Sequence, residues 1–171
     1  MRPILFSVAC VLVLCLFAGC AGYQLGPANG AVAGGKSIEV LPFNNQTLQP
    51  RLGDALTQAL REQLQTDGTF RLTGRDPGDV VVSGVVTSYT RSGVSFLSAD
   101  AATPQDYRID VTAHVTARER ASGKLLLDKN VTGQTLVPVT SDLSDAERQA
   151  LPLLAQDLAR NITGLLTEGT W

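Results

Sequence analysis

Apolar and polar residues follow two rhythms along this chain, and the switches between them mark its elements. Ser37 to Phe43, SIEVLPF, is apolar and partly β-branched and predicts a first strand. Asn44-Asn45-Gln46-Thr47 reads as a turn. Pro50 follows where the first turn of a helix tolerates proline. From there Leu52, Leu56, Ala59, Leu60 and Leu64 recur at spacings of three and four, which is one face of a helix. Asp67-Gly68 ends it, with Gly68 as the left-handed cap. Phe70-Arg71-Leu72 reads as a short second strand.

Asp76-Pro77-Gly78-Asp79 is a strong turn signal. Val80 to Arg91, VVVSGVVTSYTR, starts apolar on both faces, as a covered central strand does. Gly93 to Asp106 reads as a loop. Tyr107 to Arg118 then alternates cleanly. Tyr107, Ile109, Val111, Ala113, Val115 and Ala117 face one way, and Arg108, Asp110, Thr112, His114, Thr116 and Arg118 the other. That pattern predicts an antiparallel strand with one buried and one wet face. Arg120 to Lys124 turns the chain, and Leu125 to Leu136 returns as the hairpin partner. Ser144 followed by Glu147 forms a capping box ahead of a long helix. Leu151, Leu154, Leu158, Ile162 and Leu165 are its apolar stripe. Pro152, near the first turns, removes a donor and is expected to bend the helix or delay its start.

The order β-α-β-β-β-β-α predicts an α+β fold. Each helix has one apolar face, so the economical packing is a two-layer sandwich with both helices on one face of a mixed sheet. The other sheet face carries Arg108, Thr112, His114 and Arg118 and must be solvated or covered by a partner.

Upstream of the fold lies a different pattern. Arg2 supplies one positive charge, and Ile4 to Phe17 runs fourteen residues without charge. As a helix this run reaches about 21 Å, short of a bilayer core of about 30 Å. It fits the apolar region of a secretory signal. Leu16-Phe17-Ala18-Gly19-Cys20 resembles a bacterial lipobox, whose cysteine receives a diacylglycerol and becomes the first mature residue. Residues 1–19 are thus expected to be a lipoprotein signal peptide, 20–36 a lipidated flexible tether rich in glycine, and 37–171 the folded domain. Cys10 and Cys15 would leave with the signal, and acylation would consume the Cys20 thiol. No intramolecular disulfide or cysteine metal site is then possible. Loss of Arg2 leaves 13 of the 14 Lys and Arg against 16 Asp and Glu. This mildly acidic balance argues against nucleic acid as a partner.

No catalytic set emerges. His114 is the single histidine and falls on the polar face of a strand, where it reads as a solvated surface residue. Phosphate-binding loops and hydrolase or zinc-protease motifs are missing from the sequence. Asp145 and Glu147 at the start of the last helix read as complements to its dipole. No cofactor, metal or reaction is expected, so binding surfaces remain.

The ordered segments resemble one family. Cys20-Ala21-Gly22-Tyr23-Gln24-Leu25 is similar to the start of LptE, the lipopolysaccharide-assembly lipoproteins. The stretch from Ser37 to Thr47 is similar to that family's first strand and turn. Further likeness lies in Asp79 to Val86, in Tyr107 to Ala113 followed by Ser122 to Leu126, and in the ending LAQDLARNITGLLTEGTW. The resemblance implies a two-layer fold and an outer-membrane lipoprotein, lipid-anchored on the periplasmic side. It also implies a seat as a plug in the large β-barrel LptD and a role in barrel assembly and final delivery of lipopolysaccharide. Some members present basic loops before the alternating strand and before the last helix, which suit phosphorylated lipid A. Here 93–106 and 137–145 hold no Lys or Arg, which leaves Arg91, Arg108 and Arg118 as candidate lipopolysaccharide or partner contacts. Activators of peptidoglycan synthases and curli-type secretion lipoproteins also begin with an apolar strand, Asn-x-Thr and a helix, and stand as the alternative.

Overall fold

The computed structural model describes residues 34–169 apart from 75, 98–99 and 139–142. The expected signal segment, Cys20 and the tether as far as residue 33 lie outside the described residues. The elements are β1 (Lys36–Val40), β2 (Asn44–Asn45), α1 (Leu52–Asp67), β3 (Phe70–Thr73), β4 (Val80–Leu97), β5 (Asp100–Glu119), β6 (Leu125–Pro138) and α2 (Leu143–Thr167). The six strands form one sheet in the order β3-β1-β4-β5-β6, with β2 beside β4. Pairing is parallel among β3, β1, β2 and β4, and antiparallel from β4 through β6. The α+β sandwich with a mixed sheet is therefore the observed fold.

Both helices pack on the face that buries Val82 and Val86 of β4 and Ile109 to Ala117 of β5. The predicted stripe of α1 is buried throughout, and Leu154, Leu158 and Ile162 of α2 are buried with Ala155, Ala159 and Leu166. Small residues let the layers approach. A Cβ on Gly133 of β6 would stand 2.7 Å from the Leu158 Cβ, so α2 lies almost against the strand backbone. Gly68 caps α1 in the left-handed region (φ 74°), its N–H donating to the Leu64 carbonyl at 3.2 Å.

Five expectations need correction. The first strand stops at Val40, and Phe43 leaves it. The Phe43 N–H instead donates to the Thr57 hydroxyl of α1 at 2.9 Å. Asn44 and Asn45 are not merely a turn: they pair with Val85 and Val86 of β4, and the turn follows, held by the Asn45 side chain accepting from the Thr47 N–H. Residues 93–106 are mostly strand, because β4 and β5 continue as one long hairpin whose backbone pairing outlasts any apolar alternation. Ser144 is the second residue of α2 rather than its cap, and Glu147 accepts from Arg91 instead of closing a capping box. Pro152 lies well inside α2 and does not delay its start; the helix already runs through it from Leu143.

Candidate functional site

The sheet face turned away from the helices is the principal surface. Strand register decides which side chains stand on it. Arg108, Asp110, Thr112, His114, Thr116 and Arg118 of β5 do, as their alternation predicts. Direct cross-strand partners share a face, so β4 adds Val81, Ser83, Val85, Ser88 and Thr90, and β6 adds Leu125, Asp128, Asn130, Thr132, Gln134 and Leu136. None of these β4 and β6 residues stood out in the sequence. The register of β6 is regular from Leu127 on, but polar Lys129 and Thr135 stand on the helix side and Leu136 on the open face, which hides the alternation.

Cross-strand polar pairs run along the middle of this face. The Ser83 and Thr116 hydroxyls lie 2.9 Å apart and those of Thr112 and Thr132 3.3 Å. His114 has Asn130 Oδ1 3.1 Å from Nδ1 and Asp128 Oδ1 3.1 Å from Nε2. Arg108 donates from Nε to Asp110 at 3.1 Å. These groups satisfy one another while leaving lone pairs and hydroxyl protons facing outward. The result is a mostly polar surface, rich in hydroxyls at its centre and with exposed Leu136 and Leu125 at its two ends, that can seat against another polar wall.

The three arginines do not converge. A β-bulge lies between Val86 and Ser88, and the extra residue reverses the facing of the strand from Ser88 to Gly93. Arg91 therefore pairs with buried Ile109 and stands on the helix side. There its guanidinium binds Glu147 of α2 and lies 5.4 Å from the centre of the Tyr107 ring. The Glu147 hydrogen bond raises the Arg91 pKa further. Arg108 and Arg118 share the open face but stand ten residues apart along β5, about 33 Å at ~3.3 Å per residue. Arg118 is exposed and has no ion pair among the described residues. Any anion bound by these arginines is bound by each separately.

A notch of about 650 Å³ opens where β2 ends beside β4, lined by Gln46, Thr47, Leu48, Gln49, Thr87, Ser88, Tyr89 and Arg91. Leu48 is fully exposed at its rim. The Tyr89 hydroxyl is buried without a hydrogen-bond partner, and burial followed by the nearby Glu147 charge pushes its pKa up. Among the described residues no group of three or more His, Cys, Asp or Glu could hold a metal ion, and no helix is long and apolar enough to cross a membrane.

Comparison with known proteins adds the family. The LptE profile, described as "Lipopolysaccharide-assembly", matches residues 35–163, well over half of the chain. No curated protein sequence matches. Among solved structures, protein XCC0632 of Xanthomonas campestris is similar at a TM-score of 0.58 and 12% identity, over 84% of this chain and 92% of that one. The hypothetical protein CT253 of Chlamydia trachomatis is similar at 0.57 and 10% identity, over 78% and 96%. A minor lipoprotein of Acinetobacter baumannii is similar at 0.50 and 14% identity, over 77% and 92%. At these identities the structural likenesses establish the fold.

Proposed function

The chain belongs to the LptE lipopolysaccharide-assembly family, and from that premise we propose that it is an outer-membrane lipoprotein that plugs an LptD-type β-barrel. Lipid on Cys20 would hold it to the periplasmic face. One acyl chain binds a bilayer marginally, and two or three hold essentially permanently. Within the barrel it would assist assembly and the final delivery of lipopolysaccharide to the outer leaflet, by binding and without catalysis.

The observation that carries this reading is the open sheet face. A barrel lumen is polar, and a plug must meet it with hydrogen-bonding groups rather than hydrocarbon. The Ser83–Thr116, Thr112–Thr132 and His114–Asn130 pairs present such groups across three strands. Exposed Leu136 and Leu125 lie only at the ends of this face, beside Arg108 and Arg118, so its centre is polar.

Outer membranes solubilised in mild detergent and captured through a C-terminal tag test the proposal. A large β-barrel recovered in equal amount is the expected result. Recovery of a peptidoglycan synthase, or of a ring of identical subunits, contradicts it.

A further inference from the structure

The two long edges of the hairpin sheet are treated differently. β6 is the edge strand on one side, and an unpaired edge is a template for another strand. α2 blocks it: the Gln134 N–H donates to Asp157 Oδ2 at 2.9 Å, and Asn161 Nδ2 donates to the Thr132 carbonyl at 2.9 Å. On the other side, β1 pairs with β4 only through Val82 and β2 only through Val86, where the Gln46 N–H takes the Val86 carbonyl. Beyond Val86 no described strand pairs with this edge of β4, although β4 runs on to Leu97.

The hydrogen-bonding direction along this open edge follows from the ladder. Arg120 donates to the Asp79 carbonyl, so alternate residues of β5 from Arg118 back to Arg108 bond to β4. Their partners past the bulge are Ser88, Thr90 and Ser92. The N–H and C=O groups of Tyr89, Arg91 and Gly93 therefore point away from β5, into the notch and along the open edge. Exposed Leu48 overhangs the start of that edge, and exposed Val94 stands at its far part.

We infer that the β4 edge from Tyr89 to Gly93 is a strand-addition site, continuing the line that β2 begins, and that its occupant is an extended loop segment of the barrel. A row of alternating backbone donors and acceptors is complementary to extended polypeptide and to little else. The incoming strand alternates: on the helix side it sets an apolar residue against Leu48, and on the open face polar residues beside Ser88, Thr90 and Ser92. The choice of the barrel as the source of the strand rests on the plug reading.

The test uses the full lipoprotein in its own outer membrane, with a photoreactive residue at position 48 and, for comparison, at exposed Leu153 on α2. Crosslinks from position 48 should map to one short segment of the barrel. Gly93→Pro removes an outward N–H without touching the β5 ladder, and should lower that crosslink about tenfold, the effect of one lost hydrogen bond. Its melting temperature, measured on purified protein, should stay that of the parent. Barrel that co-purifies normally but gives no segment-specific crosslink at 48, or a crosslink indifferent to Gly93→Pro, overturns the edge inference and leaves the plug standing. Loss of barrel recovery from the unmodified protein removes both.

Discussion

Arg91 on β4 donates to the Glu147 carboxylate in the first turns of α2. The contact ties the hairpin to the helix that packs over it, and it commits a cation that would otherwise be available to an anionic ligand. Side-chain exposure is 44% for Arg91 and 16% for Glu147, so the pair is a partly screened one. A double-mutant cycle with Arg91→Met and Glu147→Gln should give a coupling of about 0.5–1 kcal/mol. Urea unfolding measures it, and zero coupling would show the contact to be incidental.

Lipopolysaccharide contact, if made through the arginines, is made singly. Arg118→Glu reverses an exposed cation with no ion pair among the described residues, and should weaken binding of purified lipopolysaccharide by about tenfold with unchanged stability. Arg108→Glu should act independently of it, given their separation along β5. Surface plasmon resonance on the single and double variants decides. Unchanged affinity in both removes them from any lipid site.

The approach of α2 to Gly133 predicts sensitivity to one methyl group. Gly133→Ala sets a Cβ 2.7 Å from the Leu158 Cβ and 2.8 Å from its backbone nitrogen, where backbone must shift. The expected loss is about 1–3 kcal/mol. Gly74→Ala has open space and should be nearly neutral. Chemical denaturation of the two variants side by side makes the comparison.

Removing the block on β6 should expose a second edge. Asp157→Ala combined with Asn161→Ala frees the Gln134 N–H and the Thr132 carbonyl. Each change should cost about 1 kcal/mol, and the purified protein should self-associate with rising concentration. Light-scattering mass across a dilution series reads this out, and a strictly monomeric double variant would refute it.

Acid sensitivity has a source at Asp79 and another at Glu119, whose carboxyl the Ser122 hydroxyl and then Lys36 hold low. The Ser37 hydroxyl, then the Ser37 N–H, hold the Asp79 carboxyl below the usual carboxylate range. The folded value lies below the unfolded one of ~3.9. The contribution is therefore complete above the unfolded value and lost as pH falls through the folded one. Asp79→Asn should be less stable than the parent at pH 7, and the gap should close as pH drops below about 4. Urea midpoints over that range test the sign.

Where burial wrote a rhythm into the chain, the fold was legible. The stripe of α1 and the strict alternation of Tyr107–Arg118 both correspond to elements with one buried face. What burial did not write could not be read. Residues 93–106 lack apolar alternation, so their strand character comes from backbone pairing alone. The bulge after Val86 has no sequence mark, yet it moves Arg91 off the face that holds Arg108 and Arg118. The polar residues of β6 belong to the open face through register across strands, which no single segment encodes. Ser144 and Glu147 satisfied the spacing of a capping box, but a carboxylate within reach of Arg91 found a charged partner instead.

The most direct test of the plug is the fate of the open face on assembly. Under the proposed processing Cys10 and Cys15 are removed and Cys20 is acylated, so Thr132→Cys would carry the chain's one free thiol. Thr132 is exposed on β6. Its cysteine should react readily with a bulky maleimide in the purified, barrel-free protein. In detergent-solubilised outer membranes, with the barrel bound, it should be protected. Equal reactivity in both states would contradict the claim that this face seats against a barrel wall.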